Sequence, residues 1–287
     1  MNMKNDFLLW ALQGYAHRFP LNKGKRRVVK YVSNMFLDTS GIKTTTLRFN
    51  NLKLYCDLSK HMQSELFFFG AYEKAELKLW MNMARGASTI FDVGANVGLY
   101  SLLAASTNPN ATIHAFEPTP TLSRAIDKNI QANNLQNIVV NRMAVGNVNG
   151  SVFLNFCSGA DGNNEGMNFV TTTKMQSDDE PTTAVTLDQY CHEHGISSID
   201  LMKMDVEGGE YAVLLGAQEL LKRKAIKYII VELVEWAAHR SGYSTTDVKR
   251  ILVENGYQIY AVQAGKRVPL AVEGTDYSGN VLAVANT

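Results

Sequence analysis

Three groups of residues in this chain have the types and spacing that chemistry requires. The first is Gly94-Ala95-Asn96-Val97-Gly98, which follows the apolar run Ile90 to Val93 and precedes a helical run from Leu99 to Ala105. A strand, a glycine turn and a helix N-terminus place backbone N–H groups beside a positive helix end. Glycine is expected there because a side chain would hold a ligand away from the backbone. The second is Glu117, at the end of His114-Ala115-Phe116-Glu117-Pro118 and 19 positions beyond Gly98. That is close to the ~20-residue spacing at which an acid grips ribose hydroxyls in nucleotide-binding sheets. The third is Asp205 with Glu207 and Glu210 around Gly208-Gly209, after the run Ile199 to Met204.

A pyrophosphate needs a glycine at the place that Asn96 holds, since the G-x-G-x-x-G pattern uses its second glycine for close approach. A nicotinamide cofactor is therefore disfavoured. S-adenosylmethionine, which carries ribose and adenine but no phosphate, fits better. In that reading Glu117 accepts both ribose hydroxyls, and Pro118 offers a flat apolar face to the adenine. Met143 and Ala144 border the adenine from the end of the next strand. Asp92 either braces the glycine turn or binds the cofactor's amino group. Asn96 contributes its tolerance of unusual backbone angles as much as its amide.

The motifs Asp92-Val93-Gly94-Ala95-Asn96-Val97-Gly98, Phe116-Glu117-Pro118 and Lys203-Met204-Asp205-Val206-Glu207-Gly208-Gly209-Glu210, in that order, resemble the FkbM family of S-adenosylmethionine-dependent methyltransferases. The resemblance runs from about Gly70 to the C-terminus. It implies a class I methyltransferase fold with an antiparallel last strand, and O-methylation of a sugar or polyketide hydroxyl. Gly70-Ala71-Tyr72-Glu73 is similar to the family's segment leading into the cofactor domain, so Tyr72 and Glu73 either line the cofactor pocket or start and cap a helix.

An alcohol must lose its proton as a methyl group is transferred to it. Asp205, at a strand's carboxyl end where open α/β sheets bind ligands, is a candidate for that base, for the cofactor's amino-group ligand, or for both. His239 is a second candidate base. Glu207 and Glu210 are expected to complement the dipole of the helix that follows them. A divalent metal held by Asp205 with Glu232 or Glu235 is an alternative that the resemblance does not require. No metal is assigned. A non-catalytic module that binds S-adenosylmethionine is the alternative function, and the full set of Gly94, Gly98, Glu117 and Asp205 speaks against it.

The elements that must position these groups follow a regular alternation. Strands are expected at 89–93, 112–116, 138–145, 151–156, 199–204, 228–233, 257–262 and 280–285, with helices at 121–133, 187–194, 211–223 and 245–255. Repeated βα units imply a Rossmann-like, mostly parallel sheet covered on both faces. Residues 157–183 break the pattern with Gly, Asn, Thr and Asp and read as a substrate-covering loop.

Residues 70–287 form the methyltransferase domain in this reading, and 1–69 an N-terminal extension. The extension holds a helix from Asp6 to Phe19, ended by Pro20, the basic run Lys23-Gly24-Lys25-Arg26-Arg27, and a β-hairpin over 44–58 turning at Asn50-Asn51. A further helix is expected from Glu73 to Met83. The first helix either packs on the domain or rests on an anionic membrane surface. A net charge of +1 gives no overall pull toward nucleic acid. Three scattered cysteines suit a reduced compartment. With no membrane-span-length apolar run and no signal peptide, the expected location is cytoplasmic, and the expected partner a small-molecule or glycan acceptor.

Overall fold

The computed structural model describes residues 3–18, 23–36, 42–47, 50–70, 74–156, 168–177, 179–263, 266–273 and 277–286. The described residues up to Lys74 form one unit and those from Ala75 onward a second. Tyr72, Glu73, Pro20 and residues 157–167 of the expected substrate-covering segment lie outside the described residues.

The first unit runs α1 (Met3–Arg18), α2 (Lys23–Phe36), β1 (Ile42–Thr46), β2 (Lys53–Asp57) and α3 (His61–Phe69). The basic run is thus the first turn of a helix. β1 and β2 pair antiparallel, with Thr44 opposite Tyr55. Asn50 and Asn51 turn the chain at φ of 54° and 52°, the left-handed region that asparagine tolerates. Leu9, Leu12, Leu47, Leu54 and the run Leu66 to Phe69 are buried. Gln13 is buried with them and donates to Thr45 Oγ1 and the Phe67 carbonyl, both at 2.9 Å.

The second unit begins α4 (Lys74–Ala84), β3 (Thr89–Val93), α5 (Leu99–Thr107), β4 (Thr112–Phe116), α6 (Pro120–Ala132), β5 (Ile138–Asn141) and β6 (Ala144–Val145). β7 (Gly150–Asn155), β8 (Phe169–Thr171), β9 (Glu180–Val185), α7 (Leu187–Glu193), β10 (Ile199–Met204), α8 (Glu210–Leu215) and α9 (Gln218–Lys222) follow. The chain closes with β11 (Ile226–Leu233), α10 (Glu235–Arg240), α11 (Thr245–Glu254), β12 (Tyr257–Gln263), β13 (Lys266–Pro269) and β14 (Gly279–Ala285). The main sheet has the order β13-β12-β14-β11-β10-β3-β4-β5. β5, β4, β3, β10 and β11 are parallel, and β14 enters antiparallel between β11 and β12. This is the class I methyltransferase topology, with β13 as an extra antiparallel edge.

The central strands are buried on both faces, as a sheet covered by helices requires. Phe91, Phe116 and Tyr190 pack against one another in the core, with ring centroids 4.8–5.8 Å apart. A polar line crosses it: Tyr190 Oη lies 2.8 Å from His114 Nδ1 and donates to Asn141 Oδ1 at 3.0 Å. Burial pulls His114 down to about 4, so its ring is neutral here.

Four expectations change. The strand foreseen over 138–145 breaks after Asn141. β5 stays in the main sheet, whereas β6 joins a second sheet of order β6-β9-β7-β8. There Ala144 pairs parallel with Ala184. The stretch read as an aperiodic loop therefore holds β8 and the start of β9, whose short, half-exposed strands carry too little alternation to read. The helix foreseen over 211–223 is two helices, because Gly216 approaches Gly146 so closely that a Cβ would lie 1.9 Å from its carbonyl oxygen. α10 and β13 were not foreseen, being too short to show a period.

Candidate active site

The turn after β3 is built of left-handed residues: Gly94 at φ 82°, Asn96 at 54° and Gly98 at 84°. The Gly94 and Ala95 N–H groups donate to the Phe116 carbonyl at 3.0 and 2.9 Å. The turn is thus stitched to the end of β4. Gly94 has a reason beside the one expected. A Cβ there would lie 1.9 Å from the Asp205 carbonyl oxygen, so the glycine admits the neighbouring strand's backbone. At Gly98 a Cβ would meet the Ile126 side chain at 3.2 Å, which ties α5 against α6.

Glu117 emerges from the end of β4 and is 5% exposed. Its Oε2 accepts from Asn96 N–H and its Oε1 from Thr119 N–H, each at 2.9 Å. The Thr119 side chain hydrogen-bonds the same carboxyl. Burial pushes the carboxyl up to about 7, against the pull of those N–H donors. A desolvated carboxylate held rigid beside a helix N-terminus is what two adjacent sugar hydroxyls would satisfy.

Beside it lies a line of buried charge. The parallel register sets Lys203 of β10 directly against Asp92 of β3. Asp205, two positions on, points to the same face. Lys203 Nζ lies 2.8 Å from Asp205 Oδ2 and 4.5 Å from the Tyr100 ring centroid. Asp92 accepts from Ser101 Oγ at 2.6 Å. Trp80 Nε1 donates to the Tyr100 carbonyl at 2.9 Å and fixes that turn of α5. Burial works to lower the Lys203 pKa, but Asp205 and Asp92 outweigh it and the net direction is upward. The ammonium is therefore held charged between two carboxylates. Burial pushes Asp92 up, while Lys203 and Ser101 pull it back. Asp92 and Lys203 are 1% and 3% exposed, whereas the Asp205 side chain keeps 33% of its surface open. Lys203, Ser101 and Tyr100 were not singled out in the sequence. The signal was there in a lysine and an aspartate inside strands otherwise buried.

The turn after β10 mirrors the one after β3. Glu207 sits at φ 53° and Gly208 at 97°. A Cβ on Gly208 would lie 2.1 Å from the Ala237 carbonyl oxygen of α10. Glu210 uses Oε1 to accept from Val206 and Gly208 N–H, both at 3.2 Å, closing the turn. Glu207 is half-buried and pushed up to about 8, first by burial and then by Asp205 and Glu210. The Glu207 carbonyl accepts from Arg240 Nη2 at 2.7 Å. The Arg240 guanidinium lies 3.9 Å from the centroid of Phe169 in β8. One arginine thus joins the acid turn to the second sheet.

Other candidates lie apart from this line. His239 faces solvent on α10 and pairs with Glu235 at 2.7 Å. Glu235 also accepts from Thr245, so it is committed elsewhere rather than to Asp205. Ala144 is buried in the second sheet with Val152 and Ala184, and Met143 packs half-buried against the main core. Pro118 lines a cavity of about 330 Å³ with Pro120, Arg142, Leu154 and Pro181. That cavity opens where β4, β5 and the second sheet meet.

These residues fit a ligand with a ribose and an amino acid end and no phosphate. Glu117 is a buried acceptor at one side, and the Asp92–Lys203–Asp205 line supplies charge at the other. A family model described as the Methyltransferase FkbM domain matches residues 92–259. Methyltransferase 1 of Beauveria bassiana is 26% identical over 187 residues, covering 60% of this chain and 73% of that protein. The 31-O-demethyl-FK506 methyltransferase FkbM of Streptomyces tacrolimicus is 27% identical over 207 residues, covering 62% and 76%. The 2-O-methyltransferase NoeI of Sinorhizobium fredii is 28% identical over 151 residues, covering 48% and 61%.

Proposed function

The chain belongs to the family of FkbM-domain methyltransferases, and on that premise we propose that it methylates a hydroxyl oxygen of a small molecule or glycan. Its cofactor is S-adenosylmethionine, which supplies a methyl group activated on a sulfonium. The names of two relatives, a 31-O-demethyl-FK506 methyltransferase and a 2-O-methyltransferase, support oxygen as the acceptor atom. The observation that carries the mechanism is the Asp92–Lys203–Asp205 line, in which only Asp205 reaches the open end of the sheet.

In this reading Glu117 holds the ribose hydroxyls, and the turn from Gly94 to Gly98 holds the ligand against the sheet. Lys203 fixes the Asp205 carboxylate from behind, so that one Asp205 oxygen stays aimed at the acceptor. Asp205 takes the hydroxyl proton as the oxygen attacks, a contribution worth roughly 10²–10⁴-fold in rate. Alignment of the acceptor oxygen with the methyl carbon supplies the larger share. The segment around β8 covers the acceptor, a role supported by the Phe169–Arg240–Glu207 link.

One observation favours a second base. Glu207 has a carboxyl pushed up to about 8 and a backbone in the left-handed region. Perturbed acids on strained turns cluster at working sites. The experiment that separates these readings from the binding-module alternative is transfer of a labelled methyl group from S-adenosylmethionine to a panel of saccharides and hydroxylated metabolites. Label in a methyl ether supports O-methylation. Label on nitrogen or carbon, or tight cofactor binding with no transfer to any member of the panel, overturns it.

A further inference from the structure

A helix that rests on a domain ordinarily buries an apolar stripe and turns polar side chains outward. Among the described side chains of α1, from Phe7 to Ala16, the outward side is apolar and aromatic. Between Phe7 and Ala16 the inward positions are Leu9, Leu12, Gln13 and Ala16. The outward ones include Phe7 at 74% exposure, Trp10 at 70%, Leu8 at 44% and Ala11. Gln13 points inward and spends its amide on Thr45 and Phe67, while Tyr15, at 37% exposure, adds a further ring to the outward side. α2 continues the pattern, exposing Val28 and Tyr31 beside Arg27 while Val29 is buried.

Charge is distributed as unevenly. Residues 1–36 hold seven lysines and arginines (Lys4, Arg18, Lys23, Lys25, Arg26, Arg27 and Lys30) against the single acid Asp6. The whole chain has a net charge of +1, so everything after residue 36 carries a surplus of negative charge. An exposed aromatic and aliphatic face within a strongly basic segment has the composition of an interfacial helix on anionic lipid. Among the described residues no helix is long and apolar enough to cross a membrane, so the contact is with the surface.

We propose that α1 and α2 form a docking face for an anionic lipid bilayer, with Phe7, Leu8 and Trp10 entering the headgroup–acyl boundary. The charge argues against a second copy of this chain as the occupant, because that would set two basic segments against each other. Leu8 and Val28 argue against nucleic acid, since aliphatic side chains gain little from base faces.

The test is co-sedimentation of the full chain with phosphatidylcholine vesicles, with and without phosphatidylserine. Wild type pellets with the anionic vesicles, less so as salt is raised, and weakly with neutral ones. Phe7→Ser/Trp10→Ser lowers partitioning by about tenfold or more. Arg27→Glu lowers it by roughly fivefold or more. Both variants keep wild-type binding of S-adenosylhomocysteine, which shows the second unit intact and separates this test from the methyltransferase reading. Three outcomes overturn the proposal. Wild type stays in the supernatant with anionic vesicles, the double variant pellets as wild type does, or the double variant only dissolves a dimer seen by sedimentation equilibrium.

Discussion

The turns after β3 and β10 solve one steric problem twice. Each carries a glycine whose missing side chain makes room for a neighbouring carbonyl: Asp205 for Gly94 and Ala237 for Gly208. The turns therefore nest in series, the first on the second and the second on α10. They differ in which other residue goes left-handed. After β3 it is Asn96, a residue whose short amide suits that region. After β10 it is Glu207, which has no such preference and adds about 1–3 kcal/mol of strain. Glu207 keeps a carboxylate where the backbone alone would favour glycine, and that contrast separates the two turns.

Breaking either nest gives the largest effect. Gly94→Ala and Gly208→Ala each force a Cβ onto a backbone carbonyl and should destabilise the fold by several kcal/mol, read as a fall in denaturation midpoint with loss of S-adenosylhomocysteine binding. A Gly94→Ala variant that folds and binds as wild type would mean the turns do not nest.

Next comes the division of labour between the acids. Asp205→Asn should cut turnover by ~10²-fold or more with cofactor affinity little changed. Glu207→Gln should cut it by less. The reverse order would make Glu207 the base.

The third measurement concerns Glu117. Its carboxyl is raised to about 7, so it becomes neutral as the pH falls through that value and loses its charge-assisted grip. S-adenosylhomocysteine affinity should therefore drop by about tenfold between pH 8 and pH 6, and Glu117→Gln should be weaker throughout and nearly flat with pH. A wild-type profile without this slope would remove Glu117 from the ribose contact.

The smallest effect is the most diagnostic. Glu207→Gly should raise stability by roughly 0.5–1 kcal/mol while lowering turnover, because it relieves the turn and removes the acid. A loss of stability would show that the Glu207 side chain holds the turn in place.

The main sheet was legible because its buried strands are short, mostly apolar runs, two of them ending beside Gly94 and Pro118. β3, β4 and β10 fall where their patterns end, at Val93, Phe116 and Met204. What stayed hidden was set by contacts distant in sequence. The split between α8 and α9 depends on Gly146 meeting Gly216, 70 positions later, and no local pattern reports that. The site was legible as a list of acids and glycines, but not as a network. Lys203 stood inside the motif that carried the resemblance, yet only the β3–β10 register shows what it faces. The close neighbour of Gly94 was hidden for the same reason, since it lies just beyond β10.

The pairing of β6 with β9 has a consequence for the segment between them. Because Ala144 and Ala184 are side by side, the whole excursion between them leaves and rejoins the scaffold at a single gate. Away from Gly146, Asn149 and Phe169, which touch Gly216, Thr186 and Arg240, its length can then change at little cost to β5, as in any insertion whose ends already touch. A segment cut at that gate and exchanged between two related enzymes should carry acceptor preference with it, as an interchangeable cassette on an unchanged methyl-donor engine.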